Sequence, residues 1–241
     1  ASDDYLDHLR KIVENEGISF IFVCSDEEAL AISKDSNLSS ITHLDSHENI
    51  KLVLNKFSLH EKIDASLGTG YTPRYIRNTD YESVQDFVHS INHCILRPVK
   101  GRGSKGLKFL DFTSTDVKTK FLDNLSANFP SNTFLTEYLP GDKYSVDSLF
   151  KNGRLMTCMI RNNGPSIKYH PPTVFAETST DSDVYRYALS IGKALNLSGF
   201  HQIECGKSAD GSVKLIEINP RLDATLPITI CYNQNFYDCI L

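Results

Sequence analysis

The stretch Phe200-His201-Gln202-Ile203-Glu204-Cys205, followed after Asp210-Gly211 by Val213-Lys214-Leu215-Ile216-Glu217-Ile218-Asn219-Pro220-Arg221, reads as two strands around a tight turn. Asp-Gly between strand-like runs is a strong two-residue hairpin signal, because both positions can take positive φ. A turn centred there sets Glu204 opposite Glu217 and Gln202 opposite Asn219. Alternate residues of a strand share a face, so these four side chains project together. Directly opposed side chains have Cβ atoms about 4.5–5.5 Å apart, and like charges at that spacing repel. A divalent cation would offset the repulsion. Carboxylate and amide oxygens without His or Cys favour Mg²⁺ or Mn²⁺ over zinc. The alternative is a solvated sheet face whose carboxylates pair with Lys or Arg. Arg221 follows Asn219 closely and sets a guanidinium beside the proposed metal, a combination suited to phosphate.

Upstream, Gly101-Arg102-Gly103-Ser104-Lys105-Gly106 fits G-x-G-x-x-G. A dinucleotide-binding loop opens a helix, whereas Leu107–Phe112 reads as a strand, and a Walker loop needs Gly-Lys-Ser/Thr before a helix. A protein kinase would also need His-Arg-Asp and Asp-Phe-Gly segments, which are missing. What remains is a strand–loop–strand hairpin with exposed amides near Lys100, Arg102 and Lys105. Such a loop either closes over polyphosphate or is an ordinary surface hairpin.

The rest of the chain alternates helices and strands. Tyr5–Glu16 is expected as a helix with an apolar stripe at Leu6, Leu9, Ile12 and Val13. Ile18–Val23 is expected as a buried parallel strand, and Ser25 as the cap of another helix. Leu52–Ile63, Ser83–Ile91, Thr115–Leu125 and Asp183–Leu195 read as helices. Cys94–Arg97, Leu107–Phe112 and Thr133–Tyr138 read as strands, and Tyr144–Phe150 with Arg154–Ile160 as a hairpin around Asn152-Gly153. This mixture predicts two α+β lobes with a cleft between them.

Composition bounds the function. The chain has 241 residues, 40% hydrophobic and 23% charged, with a net charge of −5. That suits an ordered globular protein and argues against a nucleic-acid surface, which is normally basic. The longest apolar runs are too short to cross a bilayer, and the acidic opening Ala1-Ser2-Asp3-Asp4 is no signal peptide. Six widely spaced cysteines without a C-x-x-C pair, four of them in apolar or strand-like runs, read mainly as buried free thiols of a reducing cytoplasm.

In order, Asn55-Lys56, Ile95-Leu96-Arg97-Pro98 with Gly101–Gly106, Thr136–Gly141, Tyr144-Ser145-Val146-Asp147 and Glu217–Arg221 resemble the ATP-grasp superfamily. The resemblance is closest to the carbamoyl-phosphate synthetase large-subunit type. It implies an α+β fold of two lobes with the nucleotide between them. The lobe bearing the glycine-rich loop would span 51–136 and the lobe bearing the metal strands 137–241. A partial Rossmann-like α/β segment would precede them at 1–50.

The resemblance also implies roles. Lys56 and Arg97 would be cations on the ATP phosphates, and Gly101, Gly103, Ser104, Lys105 and Gly106 the lid over them. Glu137, Tyr138 and Leu139 would form a hinge whose backbone bonds adenine. Glu204, Glu217 and Asn219 would be magnesium ligands, and Arg221 a phosphate or acyl-phosphate contact. Two positions depart from the pattern. Lys143 stands where a glutamate commonly holds the ribose hydroxyls, with Asp142 as the substitute, and Asp223 stands where glycine is usual.

The implied activity is carbon–nitrogen ligation, in which ATP activates a small-molecule carboxylate as an acyl phosphate for attack by an amine-type nucleophile. Arg97 and Arg221 would act in catalysis, with ATP and Mg²⁺ or Mn²⁺ as cofactors and a homodimer as the candidate assembly. Arg161 could contact the substrate anion, or be a surface residue. His201 should point away from Glu204 as a structural residue. The competing expectation is a non-catalytic nucleotide-binding module of a larger assembly.

Overall fold

The computed structural model describes residues 3–77, 80–101, 103–164, 176–223 and 225–232. Ten helices occur among them: α1 Asp3–Glu16, α2 Asp26–Ile32, α3 Ser36–Ser40, α4 His47–Val53, α5 Lys56–Leu67, α6 Tyr81–His89, α7 Thr115–Asp123, α8 Leu125–Asn128, α9 Ser182–Leu195 and α10 Leu226–Tyr232. The strands are β1 Tyr75–Ile76, β2 His93–Pro98, β3 Lys108–Asp111, β4 Thr133–Glu137, β5 Lys143–Lys151, β6 Arg154–Asn162, β7 Glu177–Ser179, β8 Gly199–Lys207 and β9 Val213–Asn219.

They form two sheets, ordered β1-β4-β2-β3 and β7-β6-β5-β8-β9, in which every neighbouring pair is antiparallel. The first sheet buries Cys94, Leu96 and Leu135 against Val84 and Val88 of α6 and Phe121 of α7. Over the second lies α9, whose Val184, Tyr187, Ala188, Ile191 and Leu195 recur at helical spacing and are all buried. Asp181 starts α9 by accepting from the amides of Asp183 and Val184, and Asn196 ends it in the left-handed conformation.

Local chemistry sets the boundaries and corrects several expectations. The continuous helix expected over Leu52–Ile63 is broken at Leu54-Asn55. The Asn55 side chain accepts from the Ser58 amide and restarts the chain as α5, so Lys56 stands in its first turn. Ile18–Val23 is extended but belongs to no ladder among the described residues; Phe22 is 47% exposed. Its backbone bonds are isolated ones, Ile18 N to the Val13 carbonyl, Ile21 N to the Ile41 carbonyl and Leu222 N to the Val23 carbonyl. An apolar run becomes a strand only where a partner edge exists, and among the described residues none lies beside it. No helix among the described residues is long and apolar enough to cross a membrane.

The β8–β9 hairpin gives the expected register at the critical positions by a different route. Gln202 pairs with Asn219 and Glu204 with Glu217, but nearer the turn the pairs are Cys205–Leu215 and Lys207–Val213. The loop is therefore Ser208–Ser212 rather than two residues. Its Asp210 carboxylate accepts from Ser208 Oγ, Ser212 N and Ser212 Oγ. A bulge that inserts Ile216 restores the offset before Glu217. The Asn152-Gly153 turn is as expected, with φ of 50° and 76° joining Lys151 to Arg154.

Candidate functional site

The two sheets meet at Glu217. Lys56 Nζ and Arg97 Nη2 each lie 3.2 Å from Glu217 Oε2, and Arg97 Nη1 donates to the Ile216 carbonyl at 3.0 Å. The bulged residue thus supplies an acceptor to a cation from the opposite sheet. Arg97 is 6% exposed, and its guanidinium stands 5.9 Å from the centroid of the Phe134 ring. Burial lowers its pKa from the usual range, against the opposing pull of Glu217 and Glu204.

On the face shared with Glu217, Asn219 Nδ2 donates to Gln202 Oε1 at 3.1 Å and to Glu204 Oε1 at 3.3 Å. Glu204 has its pKa pushed up to about 8, first by burial, then by Glu217 and Asp223, with Arg97 and Lys56 acting the other way. Glu204 also stands directly opposite Glu217 across β8 and β9, and two opposed carboxylates of which one is buried form a pair that a bound cation stabilises. Among the described residues no three His, Cys, Asp or Glu side chains converge as a ready metal site. Two carboxylates and one amide oxygen are nonetheless a hard-oxygen set that fits Mg²⁺ when a ligand's phosphates supply further oxygens.

Beside this acidic cluster lies the glycine-rich loop between β2 and β3. Gly101, Gly103, Ser104 and Gly106 all have positive φ, at 140°, 61°, 57° and 77°. A Cβ added at Gly101 or Gly103 would meet nothing within 4 Å, so backbone conformation and not crowding asks for glycine there. Lys56 Nζ donates to the Gly101 carbonyl at 2.6 Å and so joins the loop to Glu217. Lys105 lies in this turn, before β3; Arg102 lies outside the described residues.

The expected hinge follows β4. Its first two amides are occupied: Glu137 N donates to the Arg74 carbonyl at 2.7 Å and Tyr138 N to that of His93 at 3.2 Å. The Leu139 amide donates to no backbone carbonyl among the described residues. Lys143 turns back under the hinge, donating to the Leu139 carbonyl and standing 5.4 Å from the centroid of the Tyr138 ring. Burial lowers its pKa to about 8. Asp142 accepts from Asn162 Nδ2 at 3.2 Å.

Three further residues have definite places. Arg221 Nε donates to Asp26 Oδ1 at 2.9 Å and Nη1 lies 3.4 Å from Asp223 Oδ1, so both acids already hold it. Since Asp223 acts electrostatically on Glu204, this pair belongs to the same neighbourhood. Arg161 corrects the expectation of an anion contact or a surface residue. It is 1% exposed, and its guanidinium is bound by the Asp147 carboxylate and by Thr229 Oγ1. His201 is buried with Nε2 3.4 Å from Asp45 Oδ2, a structural position as expected. Cys94 and Cys205 are buried, Cys158 is partly so, and Cys24 and Cys231 are exposed; all five are free thiols, and Cys239 lies outside the described residues.

Sequence reasoning gave no role to Asp147, which stands opposite Gln202 across the β5–β8 pair. The alternation of β5 shows which face Asp147 takes, but not which strand lies beside it.

Residues 129–241 match the sequence family described as ATP-grasp in the biosynthetic pathway with Ter operon. Among solved structures, an L-amino acid ligase from Bacillus licheniformis is similar over 91% of this chain and 53% of its own, with a TM-score of 0.62 and 13% identity. The biotin carboxylase domain of the 2-oxoglutarate carboxylase from Hydrogenobacter thermophilus, solved with MgADP, ADP and bicarbonate, gives a TM-score of 0.67 and 15% identity over 93% of this chain and 53% of that one. A D-cycloserine synthetase gives a TM-score of 0.62 and 15% identity over 93% and 84%. The chain thus spans about half the length of the first two.

Proposed function

We propose, on the premise that this chain is an ATP-grasp protein, that it binds Mg·ATP between its two sheets and uses it to activate a carboxylate for attack by an amine-type nucleophile. The observation that supports this most directly is the convergence of Lys56 of α5 and Arg97 of β2 on Glu217 of β9, with Glu204 and Asn219 beside it. Two cations, two carboxylates and a positive-φ loop are the parts that phosphoryl transfer needs, since that chemistry relies on positioning and charge neutralisation.

In this reading Lys56 and Arg97 hold the phosphates, and the Gly101–Gly106 loop covers them. Glu204, Glu217 and the Asn219 amide oxygen would hold the cation, whose chemistry there is to neutralise phosphate charge. The hinge reads adenine through the Leu139 amide and neighbouring carbonyls, because the Glu137 and Tyr138 amides are already used. Arg221 stands by for the anion that forms. The terminal phosphoryl group passes to the carboxylate with release of ADP; the amine then attacks the acyl carbon, inorganic phosphate leaves, and the amine loses a proton. The described relatives that bear ligase and synthetase names make this reaction class the leading one.

Lys143 favours a second reading, a nucleotide-binding module without turnover, because an ammonium bonded to the Leu139 carbonyl cannot accept from a ribose hydroxyl. One experiment separates the two. The chain is incubated with Mg·ATP and a panel of amino acids and small carboxylic acids, ADP release is measured, and hydroxylamine is added to trap an activated acyl group as hydroxamate. Substrate-dependent ADP release with hydroxamate formation supports ligation. Stabilisation by Mg·ATP with no release across the panel sinks the ligase reading and leaves the module.

A further inference from the structure

A row of buried polar side chains crosses the second sheet, straight across β5, β8 and β9 and diagonally to β6, where Arg161 stands opposite Ser145. It runs from Arg161 on β6 through Asp147 on β5 and Gln202 on β8 to Asn219 on β9, and Thr229 of α10 closes one end. Their exposures are 1%, 6%, 4%, 7% and 0%. Buried polar groups carry a cost unless each is bonded, so a five-residue row needs a reason. The bonds have a direction. Asp147 is acceptor-only, taking two bonds from Arg161 and one each from Thr229 and Gln202. Because Gln202 Nε2 must face that carboxylate, at 3.3 Å, its Oε1 is turned toward Asn219. Asn219 must then present Nδ2 to Gln202 and to Glu204, which leaves Oδ1 as the atom free to face a cation. Reversing either amide would set an NH₂ group where an oxygen ligand is needed.

We infer that Asp147, anchored by Arg161 and Thr229, is a positioning residue that fixes the amide orientation of Gln202 and, through it, turns Asn219 Oδ1 toward the cation site. This rests on the reading of Glu204, Glu217 and Asn219 as that site. Asp147 touches neither ligand nor metal; it acts through two amides. Residues that orient metal ligands typically contribute about 10–100-fold to metal affinity.

The test is Mn²⁺ binding to the full chain in the presence of ADP, read as loss of the free-ion EPR signal. Asp147→Asn keeps the size of the side chain but can offer a donor to Gln202. It should weaken Mn²⁺ binding about ten-fold or more. Val146→Ala, a buried change on the opposite face of the same strand, should leave Mn²⁺ affinity within about two-fold while lowering stability. In an Asn219→Asp background, where either carboxylate oxygen can face the metal, Asp147→Asn should change affinity less than about two-fold.

Folded Asp147→Asn that binds Mn²⁺ with ADP as the wild type does overturns the inference, as does an equal loss in both backgrounds. If circular dichroism shows Asp147→Asn unfolded, Gln202→Met decides: it removes the oxygen that orients Asn219 without adding charge, and wild-type affinity there overturns the inference too. A wild-type chain that takes up no Mn²⁺ with ADP is a different result, since it removes the cation site itself.

Discussion

Arg97 crosses from the first sheet to Glu217 in the second, with one guanidinium nitrogen 3.2 Å from its carboxylate and the other on the carbonyl of the preceding residue, Ile216. This two-pronged grip depends on the bulge, because Ile216 is the inserted residue. A lysine in its place would keep the charge and lose the fork. Arg97→Lys is expected to lower the unfolding free energy in urea by about 1–2 kcal/mol and to weaken Mg·ATP about ten-fold by calorimetry. Wild-type values in both measurements would show that charge alone matters here.

Glu217 is the point where Arg97 of the first sheet and Lys56 of α5 meet the acids of the second sheet, so its neutralisation should uncouple magnesium from nucleotide. For the wild-type chain at a hundred times the dissociation constant, a ligand that binds only the native state adds about 2.7 kcal/mol. Glu217→Gln should abolish the difference between ATP with and ATP without Mg²⁺ in a thermal melt. A magnesium-dependent increment that survives the substitution would remove Glu217 from the metal set.

His60 gives the fold an acid sensitivity. It is fully buried, with Nδ1 2.6 Å from the Lys56 carbonyl and no hydrogen-bond partner for Nε2 among the described residues. Burial first, then Arg97 and Lys56, brings its pKa from 6.5 down to about 3. Between those two values the unfolded chain binds the proton and the folded chain does not. The contribution is therefore fully present above about pH 6.5 and is lost progressively as pH falls toward 3. Urea unfolding at several pH values should show this slope, and His60→Leu should make it shallower, with the remainder owed partly to buried His201, whose pKa is lowered in the same way. An unchanged slope in the variant would show that His60 is not the group being charged.

Gly192 sets helix preference against packing. Alanine in a helix interior is favoured over glycine by about 1 kcal/mol. A Cβ at Gly192, however, would stand 2.1 Å from the Phe150 ring, which is buried on β5. Overpacking of that kind costs about 1–3 kcal/mol, so the clash should win and Gly192→Ala should lower the melting temperature. Adding Phe150→Leu should recover part of the loss, and a more stable single variant would show that α9 can shift outward freely.

Much of this architecture is legible in the residues because the signals are local. The apolar stripe of α9, the cap at Ser25 and the Asn152-Gly153 turn act within a few residues, and each forms as such patterns require. The pairing of Glu204 with Glu217 also follows from the turn, although two departures cancel: the loop is longer than Asp210-Gly211 and a bulge at Ile216 restores the register. A bulge depends on what the strand meets, which here includes the Arg97 guanidinium of another sheet.

By itself the sequence determined that this protein is a two-lobed α+β chain with carboxylates paired across one hairpin and a glycine-rich loop that opens no helix. Those conclusions follow from periodicity, turn chemistry and the alternation of strand faces, which act over neighbouring residues. Tertiary structure alone decided that Ile18–Val23 joins no sheet among the described residues, that Arg161 is sealed against Asp147, and that Lys56 and Arg97 share one oxygen of Glu217. The reason is that strand partners, burial and charge pairing are set by residues as much as 195 positions apart, brought together only when the chain packs.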